Sequence, residues 1–404
     1  MPTYFYTAKS LNGEISSGAE EAKDEHELAR YLHTKGFVLI KAELRDKKKK
    51  KNLDLFFSFF GVSAKEKLFF TRNLRIMLIS GVSIPQALET LSAVSKSKKF
   101  KETLLKVKTE IIKGKSFSEA IKDFPNIFSE LFINMIKAGE EAGTIDKSLE
   151  SLAHQIEREV ELKSKIVGAM IYPIVIISTM IVIGMLMLIM VVPGLAAVFE
   201  DLGMELPFTT RMVILLGTFL AKRWYFIPLI IFIIFLLFRR FSKSKKGGKF
   251  LDTIVLKLPV ISSLIKEINT AFTSRTLSSL ISAGVPIVKA SEITANSLSN
   301  FYFREALKES NQRVIKGEKL SDVLMSHVDI YPLTIIQMLK VGEETGETAQ
   351  ILDKMADFYE EEVTNATKNL SSVIEPVLML IIGGAVGFFA ISIIQPIYTM
   401  IGSM

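Results

Sequence analysis

Gly114-Lys115-Ser116 is the tripeptide that closes a phosphate-binding loop, where a lysine and a hydroxyl meet nucleotide phosphates and their metal. That chemistry also needs a glycine five residues before Gly114, and Thr109 stands there with no strand pattern ahead of it. Nucleotide binding is therefore not expected. Two acidic turns attract more interest: Gly139-Glu140-Glu141-Ala142-Gly143 and Gly342-Glu343-Glu344-Thr345-Gly346. Their plain reading is a helix-terminating loop with solvated acids, which would also suit the positive start of a following helix. Two functional readings stand beside it. One is a docking edge for a basic partner, with Arg72 and Arg275 as further candidate docking residues. The other is a weak calcium site completed by Asp146. The histidines His26, His33, His154 and His327 need no ligand to explain them. The chain has no cysteine, which excludes disulfides, thiolate metal sites and thiol catalysis. No serine elbow, His-Glu-x-x-His helix or paired intramembrane aspartate appears. No enzyme activity, cofactor or metal is expected.

Such residues must be carried by something, and the composition says what. The 404 residues are 49% hydrophobic yet 23% charged, with a net charge of +7; mean hydropathy is +0.33. Apolar blocks alternate with charged ones. Basic surplus fits nucleic acid or a membrane surface, and here it flanks apolar runs, which favours the membrane. The start, Met1-Pro2-Thr3-Tyr4, does not read as a signal peptide. Ile166 to Val192 is uncharged over 27 residues, more than the roughly 20 needed to cross hydrocarbon. Glu375 is the last charged residue, and the stretch from Pro376 to Met404 is mostly apolar. Spans are expected at 166–192, 223–240 and 373–399. An amphipathic interfacial stretch at 208–222 would lie within an external loop, 193–222, with Lys222, Arg223, Trp224 and Tyr225 at the interface. The segment from Arg239 to Lys249 carries six cations and no acid, whereas the loop after the first span holds Glu200, Asp201 and Glu205. By the positive-inside rule 239–249 faces the cytoplasm and the C-terminus ends outside.

The two remaining long blocks, 65–165 and 268–370, repeat at a constant offset of 203, with a basic linker, 241–267, ahead of the second. Arg72 pairs with Arg275, Gly81 with Gly284, Gly114 with Gly317, Gly139 with Gly342, Glu157 with Glu360 and Pro173 with Pro376. An ungapped register of this length argues for duplication. Each block predicts a helical bundle, with helices near 65–80, from Ile84, 98–113, 116–123, 128–139 and 145–165, the last running into a span. Residues 1–45 predict a small α+β unit: strands at 3–8, 14–18 and 37–42, a turn at Asn12-Gly13, and a helix capped by Asp24. The linker 46–64 carries Lys47 to Lys51 and then Phe56, Phe57, Phe59 and Phe60, a basic and aromatic run that suits either an anionic membrane face or a solvated connection. The fold class expected is mainly α: two repeated cytoplasmic helical bundles, three transmembrane helices and a small α+β N-terminal domain.

Phe70-Thr71-Arg72-Asn73-Leu74 leading to Gly81-Val82-Ser83-Ile84, its echo from Phe272 to Ile287, the two glycine-glutamate motifs, Leu206-Pro207, the run from Asp357 to Val363 and Glu375-Pro376 together resemble one family. It is the inner-membrane platform family of type II secretion and type IV pilus systems (the GspF/PilC family). The resemblance implies a non-enzymatic, multi-pass inner-membrane scaffold that forms homo-oligomers. It implies a cytoplasmic hexameric assembly or retraction ATPase, pilin or pseudopilin subunits, other machine components and the lipid bilayer as partners, and no nucleic acid. Glu375, Pro376, Gly383 and Gly387 are the candidate contacts within the last span. Gly383-x-x-x-Gly387 permits close helix approach within the chain, between protomers or with a pilin. A small-solute transporter is the competing reading, since repeats with spans are common there; it is disfavoured because the duplicated part is mainly water-facing.

Overall fold

The computed structural model describes residues 3–10, 15–44, 61–194, 208–223, 225–259 and 261–402. The turn at Asn12-Gly13, the run from Lys47 to Phe60, the loop at 195–207 with Leu206-Pro207, and Trp224 lie outside them.

The N-terminal unit is a three-stranded antiparallel sheet, β1 (Thr3–Ser10), β2 (Ile15–Glu21) and β3 (Phe37–Leu44), in the order β2-β1-β3. Helix α1 (Glu25–Thr34) is started by Asp24, whose side chain accepts the Glu27 amide at 2.7 Å and satisfies one free donor of the first turn. Leu28 and Leu32, four apart on one helical face, bury against Ala8 and Ala22 of this small core.

The first repeat comprises α2 (Ala64–Ile79), α3 (Ile84–Val94), α4 (Lys98–Ile112), α5 (Phe117–Lys122), α6 (Glu130–Ala142) and α7 (Ile145–Leu186). Between α7 and the second repeat lie α8 (Phe208–Arg223), α9 (Phe226–Lys243) and a short basic helix, α10 (Lys245–Lys257). The second repeat is α11 (Ile261–Ser282), α12 (Ile287–Ser297), α13 (Phe301–Val314), α14 (Leu320–Leu324), α15 (Leu333–Thr345) and α16 (Thr348–Gly402). The duplication survives at the level of the backbone. Gly81 and Gly284 both leave a helix at positive φ (83° and 84°), and so do Gly114 and Gly317 (100° and 95°) and Gly143 and Gly346 (69° and 78°). Only glycine enters this left-handed region without a Cβ penalty, so the same stops recur 203 residues apart.

Buried residues of both repeats join one apolar core. Phe70, Phe100 and Phe128 form its aromatic centre in the first repeat, with Phe70 edge-on to Phe100 at 5.3 Å. Phe303 and Tyr331 meet edge-on at 4.8 Å in the second.

Two described helices are long and apolar enough to cross a membrane, within Ile145–Gly194 and Thr348–Ser392. Their apolar stretches are almost entirely uncovered, 0% and 6% buried. A core helix of a water-soluble protein would be covered instead. The third expected span, 223–240, falls on α9, which does not meet that measure. Helix α8 packs on both of the long helices. A Cβ on Gly217 would sit 2.6 Å from the Leu188 carbonyl oxygen, so the bare glycine lets α8 approach the end of the first membrane helix. The Thr210 hydroxyl donates to the Ser392 carbonyl at 2.7 Å, tying α8 to α16 as well.

Candidate functional site

The two arginines at offset 203 each clamp the first helix of a bundle to its long helix. In the first repeat Arg72 reaches Glu157 at 2.5 Å and Arg75 reaches Glu150 at 2.9 Å. In the second, Arg275 is held by three carboxylates: Asp353 and Asp357 at 2.5 Å and Glu360 at 2.9 Å. Those acids are four and three residues apart, one above another on the same face of α16. The planar guanidinium satisfies all three directions at once. Arg275 is 3% exposed and Arg72 49%. Burial alone would lower the Arg275 guanidinium; hydrogen bonds to Glu360 and Asp357 outweigh it and raise it further. Burial likewise works to raise the Asp357 carboxyl, but the Arg275 hydrogen bond prevails and holds it below its ordinary value.

The clamp in the second repeat is also a junction. Arg158, on α7 of the first repeat, lies 3.9 Å from both Asp357 and Glu360. One turn back, Gln155 bonds Thr276 at 3.4 Å and Ser279 at 3.2 Å on α11. Beside this seam runs a cleft of about 880 Å³, lined in part by Leu131, Leu162, Ile268, Phe272, Leu298 and Asn300.

The glycine-glutamate motifs are not loops: Gly139 to Ala142 form the last turn of α6 and Gly342 to Thr345 that of α15. A Cβ on Gly139 would lie 2.5 Å from the Ser148 hydroxyl, and one on Gly342 2.9 Å from the Thr348 Cα. These glycines let the long helix fold back tightly on its predecessor. Glu140 then accepts the amides of Phe117 and Ser118 at 2.6 and 3.0 Å, closing the N-terminus of α5. Glu343 does the same for Leu320 and Ser321 of α14 at 2.8 and 3.2 Å. The neighbouring acids face outward, where Glu141 pairs loosely with Lys137 and Glu344 with Lys319.

Gly114-Lys115-Ser116 is likewise used internally. Lys115 pairs with Glu110 at 2.8 Å and Asp123 at 3.4 Å, and Ser116 caps α5. Among the described residues no three His, Asp or Glu side chains come together to hold a metal, around Asp146 or elsewhere. Glu375 and Pro376 are exposed on α16. A Cβ added to Gly383 or Gly387 would meet no atom of the described residues within 4 Å, so among these residues neither glycine serves a close approach.

Sequence alone does not pair the arginines with these carboxylates. Asp353, Asp357 and Glu360 carry a visible signal, an acidic stripe at helical spacing opposite a repeated arginine. Gln155 and Arg158 carry none, because nothing local says that the two repeats touch there.

The sequence profile of type II secretion system (T2SS) protein F matches residues 70–193 and again 273–396. The chain belongs to this family. Both ends of the second match lie 203 residues beyond those of the first, the offset read from the glycines and arginines. Among relatives, a type IV pilus assembly protein PilC of Thermus thermophilus is 33% identical over 406 residues, covering 100% of this chain and 99% of the relative. A PilC of Myxococcus xanthus is 32% identical, covering 99% and 95%. A type II secretion system protein F of Aeromonas hydrophila is 30% identical, covering 93% and 97%. Each protein F repeat thus spans a bundle together with the membrane helix that continues from it.

Proposed function

We propose that this member of the protein F family is a non-enzymatic inner-membrane platform, coupling a cytoplasmic assembly ATPase to the insertion of pilin or pseudopilin subunits. The observation that carries this reading is continuity. Helix α7 runs 42 residues and α16 runs 55 without a break from bundle to apolar stretch. At 1.5 Å per residue α16 is a rod of about 80 Å. Displacement of a bundle by a motor displaces the intramembrane end of its rod.

In this reading α7, α9 and α16 make the three passes, with α8 as the amphipathic stretch at the outer interface. The N-terminal unit and both bundles face the cytoplasm, set by the cations between Arg239 and Lys249. The outward acids Glu141 and Glu344 and the exposed Arg72 are the docking groups for the motor. The open faces at Gly383 and Gly387, with Glu375 and Pro376 at the base of the span, receive a pilin transmembrane helix. Relatives named for type IV pilus assembly and for type II secretion both support a filament-building role.

The test is cross-linking in living cells while filaments are assembling, followed by purification and mass spectrometry. A hexameric ATPase linked through lysines between Lys96 and Lys115 or between Lys308 and Lys319, with pilin-like subunits linked near α16, is the expected result. Recovery of neither partner would overturn the reading.

A further inference from the structure

Helix α9 does not run on into the second bundle; it turns sharply into α10. Only Ser244, in extended backbone, separates Lys243 from Lys245, the first residue of α10. In one straight helix Phe241 and Phe250 would stand about 14 Å apart along the axis. Their rings instead meet edge-on at 6.2 Å. A Cβ on Gly247 would run into the Phe241 carbonyl, so only glycine allows a turn this tight.

The two sides of α10 differ in kind. One is spent on the second bundle. Asp252 accepts the Phe301 amide at 2.8 Å, the Thr253 hydroxyl meets that of Tyr302 at 2.8 Å, and Leu256 packs on the shared core. The other side is uncovered. Phe250, Ile254 and Leu258 follow one another at four-residue spacing along one helical stripe, and they are 57%, 41% and 42% exposed. Lys246, Lys249 and Lys257 flank this stripe and are exposed, as are Arg239 and Arg240 at the end of α9. Among the described residues none of these cations is paired with a carboxylate. Lys249 lies over the Phe301 ring at 4.8 Å instead. The one acid between Arg239 and Lys266 is Asp252, already engaged by the Phe301 amide.

An exposed apolar stripe edged by unpaired cations is the pattern of a helix that lies where lipid head groups meet acyl chains. Its position fits that surface, one residue beyond the end of an apolar helix. We propose that α10 lies on the cytoplasmic face of the bilayer, sandwiched between membrane and second bundle. Phe250, Ile254 and Leu258 enter the boundary, and Lys246, Lys249 and Lys257 hold the phosphate groups of anionic lipids. Asp252 and Thr253 tie the opposite side to α13, so the lipid contact fixes the second bundle against the membrane. The proposal goes beyond the platform reading but rests on one part of it, that α9 is a pass whose basic end faces the cytoplasm.

The cysteine-free chain accepts a single fluorophore at Phe250→Cys, at Ile234→Cys within α9, or at Ile112→Cys, exposed at the end of α4. Each full-length protein is placed in bilayers of equal parts phosphatidylcholine and phosphatidylglycerol, with a quenching spin label on one lipid or the other. Residue 234 should be quenched by both lipids and residue 112 by neither. Residue 250 should be quenched about threefold or more better by labelled phosphatidylglycerol, the enrichment that a few surface cations produce. Lys246→Glu with Lys257→Glu should bring the two lipids to parity there. Quenching at 250 no greater than at 112, equal quenching by the two lipids before the lysines are changed, or a preference that survives their change would overturn the proposal. Quenching retained at 234 in those cases keeps α9 as a pass and leaves the platform reading standing. Its absence at 234 would remove the pass, and this proposal with it.

Discussion

Replacing Arg275 with alanine leaves Asp353, Asp357 and Glu360 facing one another with no cation between them. Breaking a buried ion pair costs about 3–5 kcal/mol. Two of these three acids are nearly half exposed, so about 2–3 kcal/mol is the expected loss in denaturant unfolding. Arg72→Ala removes a single, half-exposed pair and should cost under about 1 kcal/mol. Comparable losses for both would contradict the inequality of the two clamps. The pH dependence has a fixed sign. Asp357 is held below its ordinary value in the folded state, so its contribution is fully present above about pH 4, the unfolded aspartate value. It is lost as pH falls through the lower folded value. Unfolding midpoints followed from pH 6 downward should therefore drop more for wild type than for Asp357→Asn.

At the scale of elements, the glycine-glutamate motif is the device that turns one helix onto the next. Gly342→Ala places a Cβ against backbone at Thr348, which cannot rotate away, and should cost about 1–3 kcal/mol. Glu140→Ala strands the amides of Phe117 and Ser118, a loss of about 1–2 kcal/mol. Thermal unfolding of the detergent-solubilised protein checks both; a neutral Gly342→Ala would contradict the close approach. Much of this scale was legible in advance. Helix stops at Gly81, Gly114 and Gly143 show in sequence because positive φ selects glycine, and recurrence at 203 fixed the second set. The purpose of Glu140 did not show: its partners lie more than twenty residues earlier, and acids ending a helix look like solvated acids until the fold brings α5 underneath. The mixed composition of 208–222 predicts an interfacial helix. Its packing depends on Gly217 meeting Leu188, a contact that periodicity does not encode.

At the scale of the whole molecule, the bundles and spans announce themselves through charge and length, whereas the way one bundle sits on the other does not. Gln155 and Phe358 occupy equivalent places and differ in kind; only the packing says which is covered. On the platform reading, α16 transmits displacement from its bundle to the membrane as a rigid rod. The most direct test inserts four glycines between Leu370 and Ser371 and measures filament assembly or protein secretion in cells lacking the unaltered chain. A rigid rod requires loss of assembly while the protein still inserts, folds and cross-links to its motor. Assembly at an undiminished rate with that flexible break in place would contradict it.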